Sequence, residues 1–350
     1  MHTNLRRVLR KTVAHALYYS GFLWLLAAVK LRRRVVVLMY HRVLPRDADT
    51  FSSDGIIVTR ETFARHLRFL KLFFRPLSLD QFTAALLQGE HMPSRGCLIT
   101  FDDGWHDNVM HALPLLRAHD MPAVVFLATD YIGTSQCFWQ ERIARKMFHA
   151  VDFGDEPRAL VEAQTSCDLR LISPEKRRHA IRAVVTDMKQ WPPESVARFE
   201  ASLDDASSIV GALPPDPGED RFMDWPDASR LVPPNQLVAA AHGCSHIRLT
   251  SLDNEQLAHE LRESRLTLQS AVGGTVTAIA YPNGNVDDRV VRMAREVGYQ
   301  VGFTTQRGLV SKGDDALRLH RINIHEASAA SVPELLCVIL GVFRRWPTRA

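Results

Sequence analysis

The chain has 350 residues, 46% of them apolar, a composition that suits one large α/β domain and excludes a disordered chain. Its net charge of +4 conceals an asymmetry: residues 1–46 hold ten basic residues and no acidic one, so the remainder is net −6. Because the basic character belongs to one end, nucleic acid is not an expected partner of the domain.

The first element is an apolar run, residues 14–29 (AHALYYSGFLWLLAAV), between Arg10-Lys11 and the cluster Lys30, Arg32, Arg33 and Arg34. It is shorter than the roughly 18–20 residues that a spanning helix needs. Tyr18, Tyr19 and Trp24 suit a headgroup boundary, and the basic flanks suit anionic lipid. Residues 1–34 are therefore expected either to lie on a membrane surface as a helix or to pack on the core. Basic residues follow the apolar run and no small-x-small cleavage site is seen, which argues against a signal peptide. Five scattered cysteines without a CxxC pair argue against a disulfide framework and fit a reducing compartment. The expected location is cytoplasmic, peripheral on the inner face of the cytoplasmic membrane.

From residue 35 onward, β-branched apolar runs alternate with helical patterns. Strands are expected at Val35–His41, Cys97–Asp103, Ala123–Thr129, Leu237–Gly243, Thr277–Pro282, Val301–Thr305 and Leu319–His325. Helices are expected at Thr59–Phe73 (Thr59 its N-cap), Val109–His119, Leu252–Val272, Val286–Val297, and from about Pro333 to Trp346. This alternation implies parallel strands joined by helical crossovers, in a barrel or an open sheet. Residues 140–224 break the rhythm with charged, helical patterns and the turn-rich run Pro214-Pro215-Asp216-Pro217-Gly218. They read as a helical insertion in the domain 35–350.

Polar residues cluster where the apolar strands end, the end at which parallel α/β folds bind ligands. Thr100-Phe101-Asp102-Asp103-Gly104 places two carboxylates after a buried strand, with side chains pointing different ways. One can bind metal while the other faces water; a plain helix-capping turn is the competing reading. His242-Gly243-Cys244-Ser245-His246 puts two imidazoles four residues apart after another strand, against a background of fifteen histidines that makes chance pairs common. Asp103, His242 and His246 together would make a two-histidine, one-carboxylate site with open positions, the mark of a catalytic metal. Asp102, unligated, could take a proton from water. Tyr281-Pro282-Asn283-Gly284 is either a plain turn or an exposed set of backbone N–H groups for an oxyanion. His41, after Tyr40, would reach the same rim, and Arg321 and His325 on the last strand are the residues there able to supply an acid. Trp105, Trp139 and Trp225 could stack on sugar rings or pack in cores.

These residues resemble the polysaccharide deacetylase family, through LMYHRV at 38–43, TFDDGWHDN at 100–108, HGCSH at 242–246 and YPNG at 281–284. The resemblance spans roughly 35–130 and 222–325. It implies a distorted (β/α) barrel of about seven strands, Asp102 as catalytic base, and Asp103, His242 and His246 as ligands of a divalent metal, zinc ahead of cobalt or nickel. It also implies a backbone oxyanion donor near Asn283; Tyr281 and His41, from their places at strand ends, are expected on the substrate side. The chain departs from the pattern in three places. Gly243 stands where a hydroxyl residue is usual and Ile247 where proline is. Ala280 replaces the arginine that orients the base. The late proton-donor motif matches only at Leu319, Ile322 and His325.

The activity implied is removal of an acetyl or similar small acyl group from an N-acylated amino sugar, in a bacterial polysaccharide or a lipid-linked glycan. An inactive carbohydrate-binding or scaffold protein, and an amidase or O-esterase on another acyl compound, are the alternatives.

Overall fold

The computed structural model describes residues 2–89, 91–150, 152, 154–207, 219–232 and 236–343. They form two compact units: one of residues 1–46, 54–134 and 222–350, the other of residues 47–53 and 135–221.

The larger unit is a closed parallel barrel. Its strands are β1 (Arg34–Tyr40), β2 (Gly96–Phe101), β3 (Ala123–Leu127), β4 (Leu237–Ala241), β5 (Ala278–Ala280), β6 (Val301–Arg307) and β7 (Leu319–Asn323). Each pairs in parallel with the next, and β1 closes the ring by pairing with both β2 and β7. A register shift between Leu319 and Arg321 distorts the β6–β7 seam. Two-residue antiparallel pairing of Val310–Ser311 with β1, and parallel pairing of Arg75–Pro76 with β2, flank the ring.

β1 and β2 read as continuous apolar runs because both their faces are covered. β4 is alanine-rich, a weak strand sequence, but it is held in register with β3 over five residues, from Ala123↔Leu237 to Leu127↔Ala241. Alternate residues, including Val35, Val37, Leu98, Val124, Phe126, Ala240, Ala280, Phe303 and Leu319, join one core cluster. Helix α4 (Leu79–Leu87) adds Phe82 and Leu86 to it. Continuing that alternation past the core, Thr100, Asp102, His242 and Arg321 follow the inward-facing residues of their strands.

The outer helices of this unit are α1 (His2–Tyr19), α2 (Phe22–Lys30), α3 (Arg60–Phe73), α5 (Leu113–Ala118), α10 (Asn254–Val272), α11 (Asp288–Val297) and α12 (Val332–Leu340). Thr59 caps α3 as expected, its hydroxyl accepting from Thr62 N–H. Asp253 caps α10 in a reciprocal box with Gln256, and Gly273 in the left-handed region ends it. α12 stops at Leu340 because Gly341 turns left-handed, short of the expected Trp346; residues 344–350 lie outside the described residues. The turn-rich run 214–218 also lies outside them.

The smaller unit contains α6 (Trp139–His149), α7 (Asp155–Thr165), α8 (Pro174–Met188) and α9 (Pro193–Ser207). Ile143, Met147, Val161, Leu169, Ile181, Val185 and Leu203 form a core of its own. It begins at residue 135 and takes in 47–53, wider at its start than the 140–224 read from sequence. All five cysteines are free.

Candidate active site

The C-terminal ends of the barrel strands carry the polar residues. After β2 the chain reaches Asp102, whose N–H donates to Tyr40 carbonyl at 3.0 Å, and then turns at Asp103 (φ 80°) and Gly104 (φ 87°). The left-handed turn points Asp103 away from Asp102. A side chain at 104 would meet Leu127 at 2.8 Å, so glycine is required both for the angle and for the space. Asp103, His246 and Asn283 all hold positive φ at this end of the barrel, and aspartate, histidine and asparagine tolerate it best among residues with a side chain.

Asp103, His242 and His246 converge. Asp103 Oδ1 lies 3.4 Å from His242 Nε2 and 3.4 Å from His246 Nε2, and one ligand atom from each residue falls within 4.8 Å of the others. The 3.4 Å contacts are long for hydrogen bonds. Two ligands at about 2.1 Å from one ion, at a tetrahedral angle, stand about 3.4 Å apart, so the donor set fits a shared cation. The orientation is built in from behind. His242 Nδ1 donates to Ala280 carbonyl at 2.7 Å; since a carbonyl only accepts, the proton sits on Nδ1 and the Nε2 lone pair faces the site. Trp105, fully buried, donates from Nε1 to Asp103 Oδ2 at 2.9 Å, leaving Oδ1 to face the histidines.

Burial alone would raise the Asp103 carboxyl, but the facing His242 and His246 outweigh it and hold it well below the usual carboxylate range. Burial likewise works to lower His242, and Asp103 and Asp102 reverse it, so its imidazole lies above the ordinary value.

Gly243 also lies in the left-handed region, at φ 74°, where a Cβ would come within 3.1 Å of Glu260 Oε2. Glu260, from the buried face of α10, ties the loop down. It accepts from Cys244 N–H at 2.7 Å, from Ser245 N–H at 3.2 Å and from the Ser245 hydroxyl. Thr129 and Asp130 N–H groups bond the carbonyls of Gly243 and Cys244. The departures at Gly243 and Ile247 therefore leave a tethered loop. Glu260 was not singled out from the sequence, although a carboxylate one turn after Leu257 and one turn before Ser264, on the buried face of the helix, is a signal that it has a buried partner.

Asp102 is held by an arginine from two strands away, across β1. Arg321 on β7 donates from Nη1 to Asp102 Oδ1 at 2.6 Å and from Nη2 to Oδ2 at 2.7 Å. Its Nε donates to Thr304 carbonyl at 3.0 Å and its Nη1 also reaches Thr100 Oγ1 at 3.3 Å. Burial favours the neutral acid at Asp102, yet Arg321 and His242 win and keep its carboxyl below the ordinary value. This corrects the expectation of Arg321 as a source of acid. A guanidinium that is 0% exposed and committed on all three nitrogens to Asp102, Thr304 and Thr100 has no proton free for substrate. Arg321 instead occupies the orienting role that Ala280 leaves open.

Tyr281 is also displaced from the expected substrate side. Its ring is buried, its hydroxyl donates to Leu317 carbonyl at 2.9 Å, and its N–H donates to Phe303 carbonyl at 3.0 Å. Asn283 is exposed in a left-handed turn, and Pro282 lies against Gly243 of the loop that carries His242 and His246. Gly284 packs on β6 so tightly that a Cβ would meet Thr305 Oγ1 at 2.1 Å. Trp105 is a core residue, stacked on Phe222 at 4.4 Å and covered by the Arg42 guanidinium at 4.2 Å.

His41 and His325 follow β1 and β7, which run side by side with Met39 opposite Asn323. Each keeps its Nδ1 buried with no hydrogen-bond partner among the described residues. Burial pushes His41 down against the pull of Asp103 and Asp102, and pushes His325 down to about 4, helped by Arg10. Burial thus favours the neutral form of both imidazoles.

The polysaccharide deacetylase family model matches residues 89–156 and 219–302, on either side of the helical unit. YxkH of Bacillus subtilis (strain 168), provisionally named a polysaccharide deacetylase, is 19% identical over 299 residues, covering 85% of this chain and 74% of that protein. Two solved structures share the fold: the Streptococcus pyogenes deacetylase PplD in complex with acetate (18% identity, TM-score 0.55, covering 87% of this chain and 98% of that one), and IcaB from Ammonifex degensii (17% identity, TM-score 0.56, 88% and 97%). The barrel is the one the sequence motifs implied. The match to the polysaccharide deacetylase family covers the segments that carry Asp102, Asp103, His242 and His246, and it implies a hydrolase of carbon–nitrogen bonds.

Proposed function

We propose that the chain removes an acetyl or similarly small acyl group from an N-acylated amino sugar of a bacterial polysaccharide or lipid-linked glycan, with one divalent metal ion, zinc ahead of cobalt or nickel. The observation that carries this reading is the convergence of Asp103, His242 and His246 beside a carboxylate, Asp102, that is clamped and ionised but left unligated. An ion in that donor set supplies Lewis acidity toward the acyl carbonyl and the attacking water.

The chain's own residues do the rest. Asp102 accepts the proton of the attacking water. Each of its oxygens bonds one Arg321 nitrogen and keeps a second lone pair for that purpose. Arg321 holds the carboxylate plane and its charge. The backbone N–H of Asn283 is the donor proposed for the developing oxyanion. The proton that Asp102 takes from the water is the one the leaving amine needs; His41 and His325, neutral and adjacent, can relay it by accepting it on one ring nitrogen and releasing a proton from the other.

The reading is tested by acetate release from N-acetylated glycans and from lipid-linked N-acetylated sugars. Release that stops on chelation and returns with zinc supports it. Chelator-indifferent release, or none from any amino sugar, goes against it. The cytoplasmic location belongs to the same proposal and rests on the free cysteines and the basic N-terminus.

A further inference from the structure

Helices α1 and α2 meet at 78° about the left-handed Gly21, and no single helix among the described residues is long and apolar enough to cross a membrane. Both are fixed to the barrel. Lys30 Nζ donates to Leu340 carbonyl at the end of α12 at 2.8 Å, and the Arg10 guanidinium donates to Ser328 carbonyl and lies 5.1 Å over the Phe343 ring. Leu23, Ala27 and Leu31 make the inward face.

The outward face of α2 is the anomaly. A surface helix ordinarily turns polar residues to water, but this one turns Phe22, Leu25 and Val29, the last two 72% and 76% exposed, and Tyr19 precedes them. The apolar surface does not stop at the helix. Trp24 packs 4.8 Å from Phe73 at the end of α3, where Leu72 is 76% exposed. Tyr18, Trp24 and Phe69 complete one aromatic seam between α1, α2 and α3. Exposed basic residues border the patch: Arg7 and Lys11 on α1, Arg32, Arg33 and Arg34 after α2, and Arg68 and Arg75 around the end of α3. Lys71 nearby is paired with Asp120 at 3.1 Å.

We infer that this face seats the protein on the surface of an anionic phospholipid bilayer, with Phe22, Leu25, Val29 and Leu72 entering the acyl boundary and the arginines and lysines on the headgroups. The chemistry fits lipid for two reasons. The apolar residues are contiguous and ringed by one sign of charge, and tyrosine and tryptophan stand at their margin, where a ring can be half wet. Residues 1–46 contain no acid to oppose an anionic headgroup. The inference stands on different residues from the metal site and does not depend on the reading of it.

The test uses the full chain, sedimented with vesicles of phosphatidylcholine alone and of phosphatidylcholine with phosphatidylglycerol. The protein should partition onto the phosphatidylglycerol vesicles, weakly onto the neutral ones, and less as salt is raised. The variant L25S/V29S/L72S should lose about tenfold or more of that partitioning, with an unchanged circular dichroism spectrum because all three side chains are exposed. The variant R7E/K11E/R32E should lose the preference for anionic vesicles. The inference is overturned if the wild type stays in solution with both vesicle types, if the serine variant binds as well as the wild type, or if the patch proves to be a contact between two copies, seen as a dimer that the serine variant abolishes without any vesicle binding.

Discussion

Arg321 and Asp102 lie 219 residues apart in sequence and face each other in a two-pronged ion pair, 2.6 and 2.7 Å, inside the barrel. The guanidinium fork matches the carboxylate plane, so the pair sets the direction of the oxygens as well as the charge. Arg321→Lys keeps the charge and loses the fork. We expect kcat to fall by about 10–100-fold with KM little changed and the bound metal retained. Arg321→Met leaves a buried carboxylate alone and should destabilise the fold by about 3–5 kcal/mol in urea melts. A lysine variant with wild-type kcat would show that Asp102 needs no such orientation.

Glu260 reaches three donors of the loop that carries His246. Glu260→Gln keeps the shape but removes the charge, so the bonds from Cys244 and Ser245 N–H weaken and the Ser245 hydroxyl must turn from donor to acceptor. Metal affinity, measured by competition with a chromophoric chelator, should drop by about 10–100-fold while Asp102 and Arg321 are untouched. Unchanged affinity would mean that the loop holds itself.

The barrel was legible because it is a local signal repeated: an apolar strand, then polar residues, then a helix. Asp102, Asp103, His242 and His246 stand directly after such strands, so position alone marked them. Arg321 was legible as a residue but not as a partner. Alternation from Leu319 points it into the barrel, yet nothing linear says that it meets a carboxylate on β2. Tyr281 misled for the complementary reason: it adjoins Pro282 and Asn283 in sequence, but its N–H belongs to the β6 pairing and its ring to the core. The early stop of α12 was written in Gly341, whose left-handed φ outweighs the apolar pattern on either side.

His66 is fully buried between the Tyr40 hydroxyl at 3.0 Å and Ala329 carbonyl at 2.7 Å, and burial pushes it down to about 4. A histidine with a depressed folded pKa binds fewer protons folded than unfolded. Its contribution is therefore complete above the unfolded value of about 6.5 and is lost as pH falls toward 4, by up to about 3 kcal/mol. His325 acts in the same window and direction. Urea midpoints taken at pH 7 and pH 5 should show this loss, and His66→Gln, which cannot charge, should show a smaller difference between the two. An equal difference in the variant would place the acid sensitivity elsewhere.

If His41 and His325 serve the leaving amine, a substrate that needs no protonated leaving group should tolerate their loss. His41→Ala and His325→Ala should each be compared on an N-acetyl sugar and on a phenyl acetate ester. At least one of the two should slow the amide by about 100-fold more than the ester. Equal losses on both substrates in both variants would assign these histidines to binding or folding.

The account stands on one cation shared by Asp103, His242 and His246 with Asp102 left free for the proton. The most direct measurement is metal content and acetate release determined together on Asp102→Asn and His246→Ala. We predict that Asp102→Asn binds zinc as the wild type does and releases no acetate, whereas His246→Ala loses both. An Asp102→Asn protein that still turns over, or a His246→Ala protein that holds its metal and remains active, would contradict the account.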